Sequence, residues 1–153
     1  MSYRPQSHIG LILSLSLTLA AASMPALANS ADDTLPQDQR ISLGLTGSER
    51  AEFLSEMRQM LTSVQGIISA IAEHDREKIA VAARHSGNRM ARATPDAVRA
   101  RLPQSFKDLG GPTHMLFEEL AVRAESDDME TLTGFTGELM QQCIVCHEMF
   151  RAD

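Results

Sequence analysis

The chain has 153 residues, with 20 acidic and 14 basic residues and a formal net charge of −6. Its length suits one domain with a single core, and its basic residues form no dense cluster, which argues against nucleic-acid binding. The acidic excess would suit a basic protein partner, or it merely keeps the protein in solution.

The first 28 residues have the composition of a secretory signal peptide. Residues 1–8 carry one arginine and no acid, residues 9–22 are mostly apolar, and Ala26-Leu27-Ala28 is a small-residue cleavage signature. An uncleaved anchor is disfavoured because the apolar run is shorter than the roughly 20 residues of a spanning helix. Cleavage would remove Arg4 and leave 125 residues with a formal charge of −7. We therefore expect an exported protein with no membrane span after cleavage.

Residues 29–47 show no sustained hydrophobic period and contain proline and glycine, which predicts a flexible N-terminal arm before a domain at residues 48–153. The first helix of that domain is predicted to begin at Ser48, a good N-cap, and to end near His74. Apolar residues at spacings of three and four predict its buried stripe: Phe53, Leu54, Met57, Leu61, Val64, Ile67, Ile68 and Ile71.

Asp75 is the predicted cap of a second helix, which carries Gly87 near its end. A short helix is predicted over residues 94–102, because Thr94-Pro95-Asp96 combines a cap, a proline at the first helical position and an acid in the first turn. The predicted apolar residues of the second helix are Ile79, Val81, Ala82, Ala83 and Met90.

Pro103 and the stretch Gly110-Gly111-Pro112 predict a connecting loop before a third long helix, from about Pro112 to Glu125. The predicted apolar residues of that helix are Met115, Leu116, Leu120 and Val122.

Asp127 and Glu130 resemble a capping box at the start of the last helix. Gly134 and Gly137 in this helix cost stability relative to alanine and would allow close approach of a neighbour. Four amphipathic helices with short connections predict an all-α, antiparallel four-helix bundle, and no strand pattern is visible. One face of the last helix carries Leu132, Phe135, Leu139, Cys143, Cys146, His147 and Phe150.

The segment Cys143-Ile144-Val145-Cys146-His147 is the attachment pattern of a covalent c-type haem. On a helix the two thiols and the imidazole project from one face, where two thioethers and one iron bond would hold a flat macrocycle. A zinc site would need a second pair of ligands at similar spacing, and a thioredoxin-like pair would need a βαβ setting. The motif therefore favours one haem per chain, and because such haem is attached outside the bacterial cytoplasm, it favours a periplasmic protein.

The position of this motif, six residues before Asp153, together with the four-helix pattern, resembles the class II c-type cytochromes, the cytochrome c prime family. The aromatic and the base of Phe150-Arg151 match the ending of that family. Two further segments look like relatives in the group: Leu102-Pro103-x-x-Phe106 and His114-x-x-Phe117. The resemblance covers about residues 48–151.

The resemblance implies a haem held within the bundle, with Cys143 and Cys146 as thioether sites and His147 as the proximal iron ligand. In low-spin members a methionine of the first helix fills the other axial position, whereas in cytochromes c prime proper that position is empty. Met57 is the predicted ligand, because it lies at the centre of the apolar stripe, and Met60 is the second candidate. As an ordinary core residue, either methionine would simply fill space.

Three further residues are weaker candidates for contacts with the haem. Arg151, one turn beyond His147, is predicted to pair with a haem propionate, or it is a solvated residue at the helix end. Arg58 would reach the other propionate if it is not simply solvated. His114 would be the distal ligand of a bis-histidine site, although such a histidine is more often a surface or helix-end residue.

These residues predict a periplasmic one-electron carrier, not an enzyme, with His147 and Met57 bound to iron in both redox states. The alternative is a five-coordinate haem protein that binds small gases such as NO or CO. A weaker interpretation is an accessory haem subunit that docks through residues 29–47. The redox partner protein is not identified by the sequence, and a homodimer through the first or second helix is left open.

Overall fold

The computed structural model describes residues 37–153, so the predicted signal peptide and residues 29–36 of the predicted arm lie outside the described part. The described part of the chain is mostly helical, which confirms the all-α fold class. In chain order the elements are β1 (Ile41–Ser42), α1 (Gly47–Ala72), α2 (Arg76–His85), α3 (Asn88–Ala93), α4 (Asp96–Arg101), α5 (Gln104–Arg123), α6 (Met129–Met149) and β2 (Phe150–Arg151).

Three helices begin at a residue whose side chain accepts a backbone N–H of the first turn. Thr46 and Glu49 form a reciprocal capping box at α1, and Asp75 caps α2 as predicted. Asp128 caps α6. The predicted starts at Ser48 and Asp127 are therefore each displaced by one or two residues, because a neighbouring side chain provides the cap.

The second predicted helix is interrupted at Gly87, so α2 ends at His85 and α3 begins at Asn88. The carboxylate of Glu118 approaches this break closely and accepts a hydrogen bond from the backbone N–H of Asn88, at 3.2 Å. A Cβ on Gly87 would collide with that carboxylate. The glycine thus allows the chain to change direction beside α5.

The predicted loop between Pro103 and Pro112 is wrong, because α5 runs through the whole of it. Pro103 precedes the first turn, where a missing N–H costs nothing, and Pro112 lies inside the helix. Burial of Phe117 and Leu120 on the same helix outweighs the local cost of proline and glycine.

The core lies among the four long helices, since α1 packs against α2 and α6 while α5 packs against the same two helices. In its centre the hydroxyl groups of Ser63 and Ser86, both buried, share a hydrogen bond of 2.7 Å. The largest fully buried apolar side chains are Ile67, Ile79, Phe117, Leu120, Leu132 and Leu139.

Several predicted core residues are instead exposed. The buried face of α1 centres on Met60, Val64 and Ile67, with the small residues Ser63 and Ala70 completing it. Helical periodicity does not reveal that small polar residues belong to the buried face, so it placed the stripe too far to one side. The exposed residues are Leu61, Ile68, Val81, Met115 and Val122.

Part of the predicted flexible arm is held against the end of the chain. Ile41 pairs with Phe150 and Ser42 with Arg151 in a two-stranded parallel ladder, and the backbone N–H of Leu43 donates to the carbonyl of Arg151 at 3.1 Å. These two-residue strands are too short for a period of two to reveal them. Within residues 37–153, none of the helices has the length and apolar character to cross a membrane.

Candidate functional site

The predicted attachment residues lie in the last two turns of α6. Cys143 and Cys146 are free and half-buried. Burial raises the pKa of both thiols, and the neighbouring Cys143 raises that of Cys146 further. Both sulfur atoms therefore remain protonated thiols at neutral pH, the form in which an S–H bond adds across a vinyl group.

A cavity of about 490 Å³ opens beside these residues, a volume typical of small-molecule sites. Cys143, Cys146 and His147 all line it, so folding brings the three motif side chains to one apolar space. Side chains of α1, α3, α4 and α5 form the other walls.

Two aromatic rings, those of Phe53 and Phe106, line the cavity, and the buried Phe150 packs against Phe106 outside the lining. The ring centroids of Phe53 and Phe106 are 5.8 Å apart, and those of Phe106 and Phe150 are 5.4 Å apart. Phe106 therefore joins the first turns of α1 to the end of α6. Met57 lies one turn after Phe53, and His147 lies one turn before Phe150.

Both candidate methionines line the cavity, but their burial is the reverse of what the stripe predicted. Met60 is packed in the core and Met57 is half-buried at its margin. Burial alone favours Met60. Met57 is favoured because, like His147, it lies one turn from a ring that contacts Phe106.

Arg151 does not line the cavity. Its Nε donates to the carbonyl of Arg40 at 3.2 Å, and its Nη1 pairs with the carboxylate of Asp153. The guanidinium is thus engaged with the N-terminal segment and the chain end. Arg58, the other predicted propionate partner, is exposed and also absent from the lining.

His114, only a weak candidate from the sequence, lines the cavity from α5. Its Nδ1 lies 2.7 Å from the carbonyl oxygen of Ser86, and because a carbonyl only accepts, Nδ1 carries the proton of that bond. Nε2 is then the ring nitrogen that faces away from this bond. The pattern His114-x-x-Phe117 marks this histidine in the sequence, but its spacing does not predict the hydrogen bond to the carbonyl of Ser86.

Gly110 and Gly111 give the cavity one wall of bare backbone in the middle of α5. A Cβ on Gly111 would meet nothing within 4 Å, and one on Gly110 would meet only the Phe106 ring, at 3.5 Å. Each glycine costs roughly 0.5–1 kcal/mol relative to alanine inside a helix. Two in succession leave space in which a flat group can approach the helix closely.

The donor set fits a haem. Among residues 37–153 no three His, Cys, Asp or Glu side chains converge as a metal site, but a porphyrin brings four nitrogen ligands of its own and needs only axial ligands from the protein. His147 and a methionine, which line the cavity together with the two thiols, are side chains of the kind that could supply those ligands. No family model, no curated protein and no solved structure matches the chain.

Proposed function

We propose that this protein is a periplasmic c-type cytochrome of the class II kind, a one-electron carrier with a single haem attached through Cys143 and Cys146. The observation that carries the proposal is that both thiols and the His147 imidazole line one apolar cavity of about 490 Å³. The first 28 residues, with their signal-peptide composition, support export to the compartment where such haem is attached.

The architecture proposed for the holoprotein is an antiparallel bundle of α1, α2, α5 and α6. Each of these helices packs against two of the others, which is the arrangement of a four-helix bundle. In such bundles cofactor sites are built from side chains on facing helices, and the cavity is lined from α1, α5 and α6.

When attached, the haem supplies the Fe(III)/Fe(II) couple. His147 of α6 and Met57 of α1, which both line the cavity, would hold the iron as its two protein ligands. Keeping a nitrogen and a thioether sulfur in both redox states limits structural change on electron transfer, and a methionine ligand raises the reduction potential. Electron transfer requires no acid–base group, and the mostly apolar wall would place the haem largely against apolar side chains.

Gas binding is the second candidate function, and the half-buried position of Met57 is the observation that favours it. If neither Met57 nor Met60 binds, the iron has five ligands. The neighbouring α1 residues would then admit only small molecules such as NO or CO.

Optical spectroscopy of the protein purified from a periplasmic fraction separates these functions. We expect a low-spin spectrum in both redox states, with a far-red methionine-to-iron band in the oxidised form and no change on addition of CO. A high-spin spectrum that shifts with CO would replace electron transfer by gas binding. Absence of haem absorbance in a strain that attaches c-type haem would refute both.

A further inference from the structure

Basic residues are concentrated in one part of this acidic chain. Residues 84–107 contain six arginines and lysines and a single acid, Asp96. Spread over 24 positions they form no dense run in the sequence. Folding brings three of them, Arg92, Arg99 and Lys107, to the cavity that contains the attachment residues.

These cations meet little opposing charge there. Glu56 is the only carboxylate that lines the cavity among residues 37–153. Burial raises the pKa of Glu56, and the nearby Glu52 raises it further. The cavity therefore has an excess of positive charge on a protein whose net charge is −6.

The three cations differ in how they are held. Arg99 donates from Nη2 to the carbonyl of Thr94 at 2.8 Å and lies 3.4 Å from Asp96, so it braces the α3–α4 junction. The side chains of Arg92 and Lys107 make no hydrogen bond or ion pair within residues 37–153. Arg92 is exposed and Lys107 half-buried, so both reach the rim of the cavity with free donors.

Their location matches the chemistry of the macrocycle. The thiols line the cavity from α6, whereas Arg92 lines it from α3 and Lys107 from the first turn of α5, so thiols and cations belong to different walls of one cavity. In a porphyrin of the haem type, the vinyl groups and the two propionates lie at opposite edges. A haem attached at α6 would therefore extend its propionates away from α6, toward walls that other helices supply.

The geometry points to a carboxylate-binding subsite formed by Arg92 and Lys107 that pairs with the haem propionates. This inference rests on the proposed haem attachment. Arg92 provides the planar fork that matches a carboxylate, and Lys107 provides a point charge from the neighbouring helix. Arg151, which is engaged with Asp153, is not required for this role.

The test compares Arg92→Gln with Arg89→Gln in the holoprotein. Arg89 lies on the same helix, is exposed and does not line the cavity, so its replacement removes the same charge from outside the subsite. The measurement is the reduction potential from pH 5 to pH 9, by optical titration. Arg92→Lys is the conservative variant, and circular dichroism checks that each variant is folded.

We expect Arg92→Gln to lower the potential, because a nearby cation favours Fe(II), and Arg89→Gln to change it much less. Loss of the cation also raises the propionate pKa, so the pH-dependent part of the curve moves to higher pH. Arg92→Lys should retain most of the wild-type curve. Lys107→Gln should act in the same direction as Arg92→Gln.

Identical curves for Arg92→Gln and Arg89→Gln in a protein with normal haem content would overturn the subsite and leave the haem proposal intact. A chain that takes up no haem would refute the subsite and the proposed function together. A merely structural role for Arg92 would lower thermal stability without moving the pH dependence, and that result also counts against the subsite.

Discussion

At the scale of single residues, Glu49 is the most strongly perturbed carboxyl group of α1. A hydrogen bond from Arg101 is the largest cause, and the backbone N–H of Thr46 adds a second, so the pKa of Glu49 falls from 4.5 to about 2. The second bond is the capping box, with 2.8 Å between Thr46 N and the carboxylate. One ionised side chain thus joins the start of α1 to the end of α4.

Replacement of Glu49 by Gln should lower the melting temperature at neutral pH. A depressed pKa contributes stability that is complete above the unfolded-state value near 4.5 and is lost as the pH falls toward about 2. The difference between wild type and Glu49→Gln should therefore narrow over that range. Thermal melts at pH 7, 4 and 2.5 check this, and a gap that stays constant with pH would contradict it. Glu52→Gln, one turn further, is the control.

Paired substitutions of Met57 and Met60 can identify which methionine binds the iron. On the proposal that Met57 is an iron ligand, Met57→Ala should convert the optical spectrum from low spin to high spin and make the iron reactive toward CO. Met60→Ala should keep the low-spin spectrum but lower the free energy of unfolding by about 2–4 kcal/mol, since it empties a buried position. The reverse pair of results would assign the ligand to Met60.

At the scale of elements, the N-terminal segment acts as a clamp on the end of α6. Leu43 is 4% exposed and packs with Leu102 and Phe150, and Cys146 borders the same cluster. Arg40 adds a hydrogen bond from Nη1 to the carbonyl of His147, at 3.2 Å. The clamp thus holds the turn of the chain that carries the predicted iron ligand.

Leu43→Ala should lower the free energy of unfolding by about 2–4 kcal/mol, the usual cost of truncating a buried leucine. Ile41→Ala is the matched control, because Ile41 is in the same short segment but its side chain is 44% exposed. That control should cost less than about 1 kcal/mol. Denaturant unfolding of both variants measures the difference, and equal costs would mean that the segment does not clamp through Leu43.

The helices show where sequence patterns predict the structure and where they fail. The prediction of Asp75 as a cap is confirmed, because its carboxylate accepts the backbone N–H of the residue three positions on. This interaction is local, so the sequence pattern is enough to predict it. Gly110-Gly111-Pro112 was predicted to be a loop because each residue disfavours a helix locally, yet burial of Phe117 and Leu120 keeps α5 continuous. Periodicity correctly placed Val64 and Ile67 on the buried face of α1 but could not show that Ser63 belongs to it, because Ser63 bonds to Ser86, a distant partner.

At the scale of the whole molecule, the sequence likewise predicts the local part of the site but not the contacts between residues that are distant in the chain. The motif at Cys143, Cys146 and His147 is readable because its residues are neighbours on one helix. Arg92, Lys107 and His114 come from other helices, and only the packing of α3 and α5 around the cavity brings them together. The sequence could therefore predict where a haem attaches but not which side chains complete its surroundings.

The cavity sets a requirement on the whole fold. The cavity opens to solvent and has the exposed Arg92 and Arg99 on its rim, so water can enter it when no haem is attached. Most of its wall is apolar, and contact of that wall with water is unfavourable. A chain without haem therefore exposes apolar surface of α1, α5 and α6, which weakens the packing of these helices against one another.

Expression in the cytoplasm of a strain without haem attachment should thus yield a helical but loosely packed chain. We expect far-UV circular dichroism close to that of the holoprotein, a broad thermal transition and strong binding of a hydrophobic dye. The holoprotein, in which the macrocycle fills the cavity, should unfold cooperatively at a much higher temperature. If the haem-free chain instead melted sharply near the holoprotein temperature, the helices around the cavity would be stable without haem. The haem would then be a bound cofactor and not a part of the hydrophobic core.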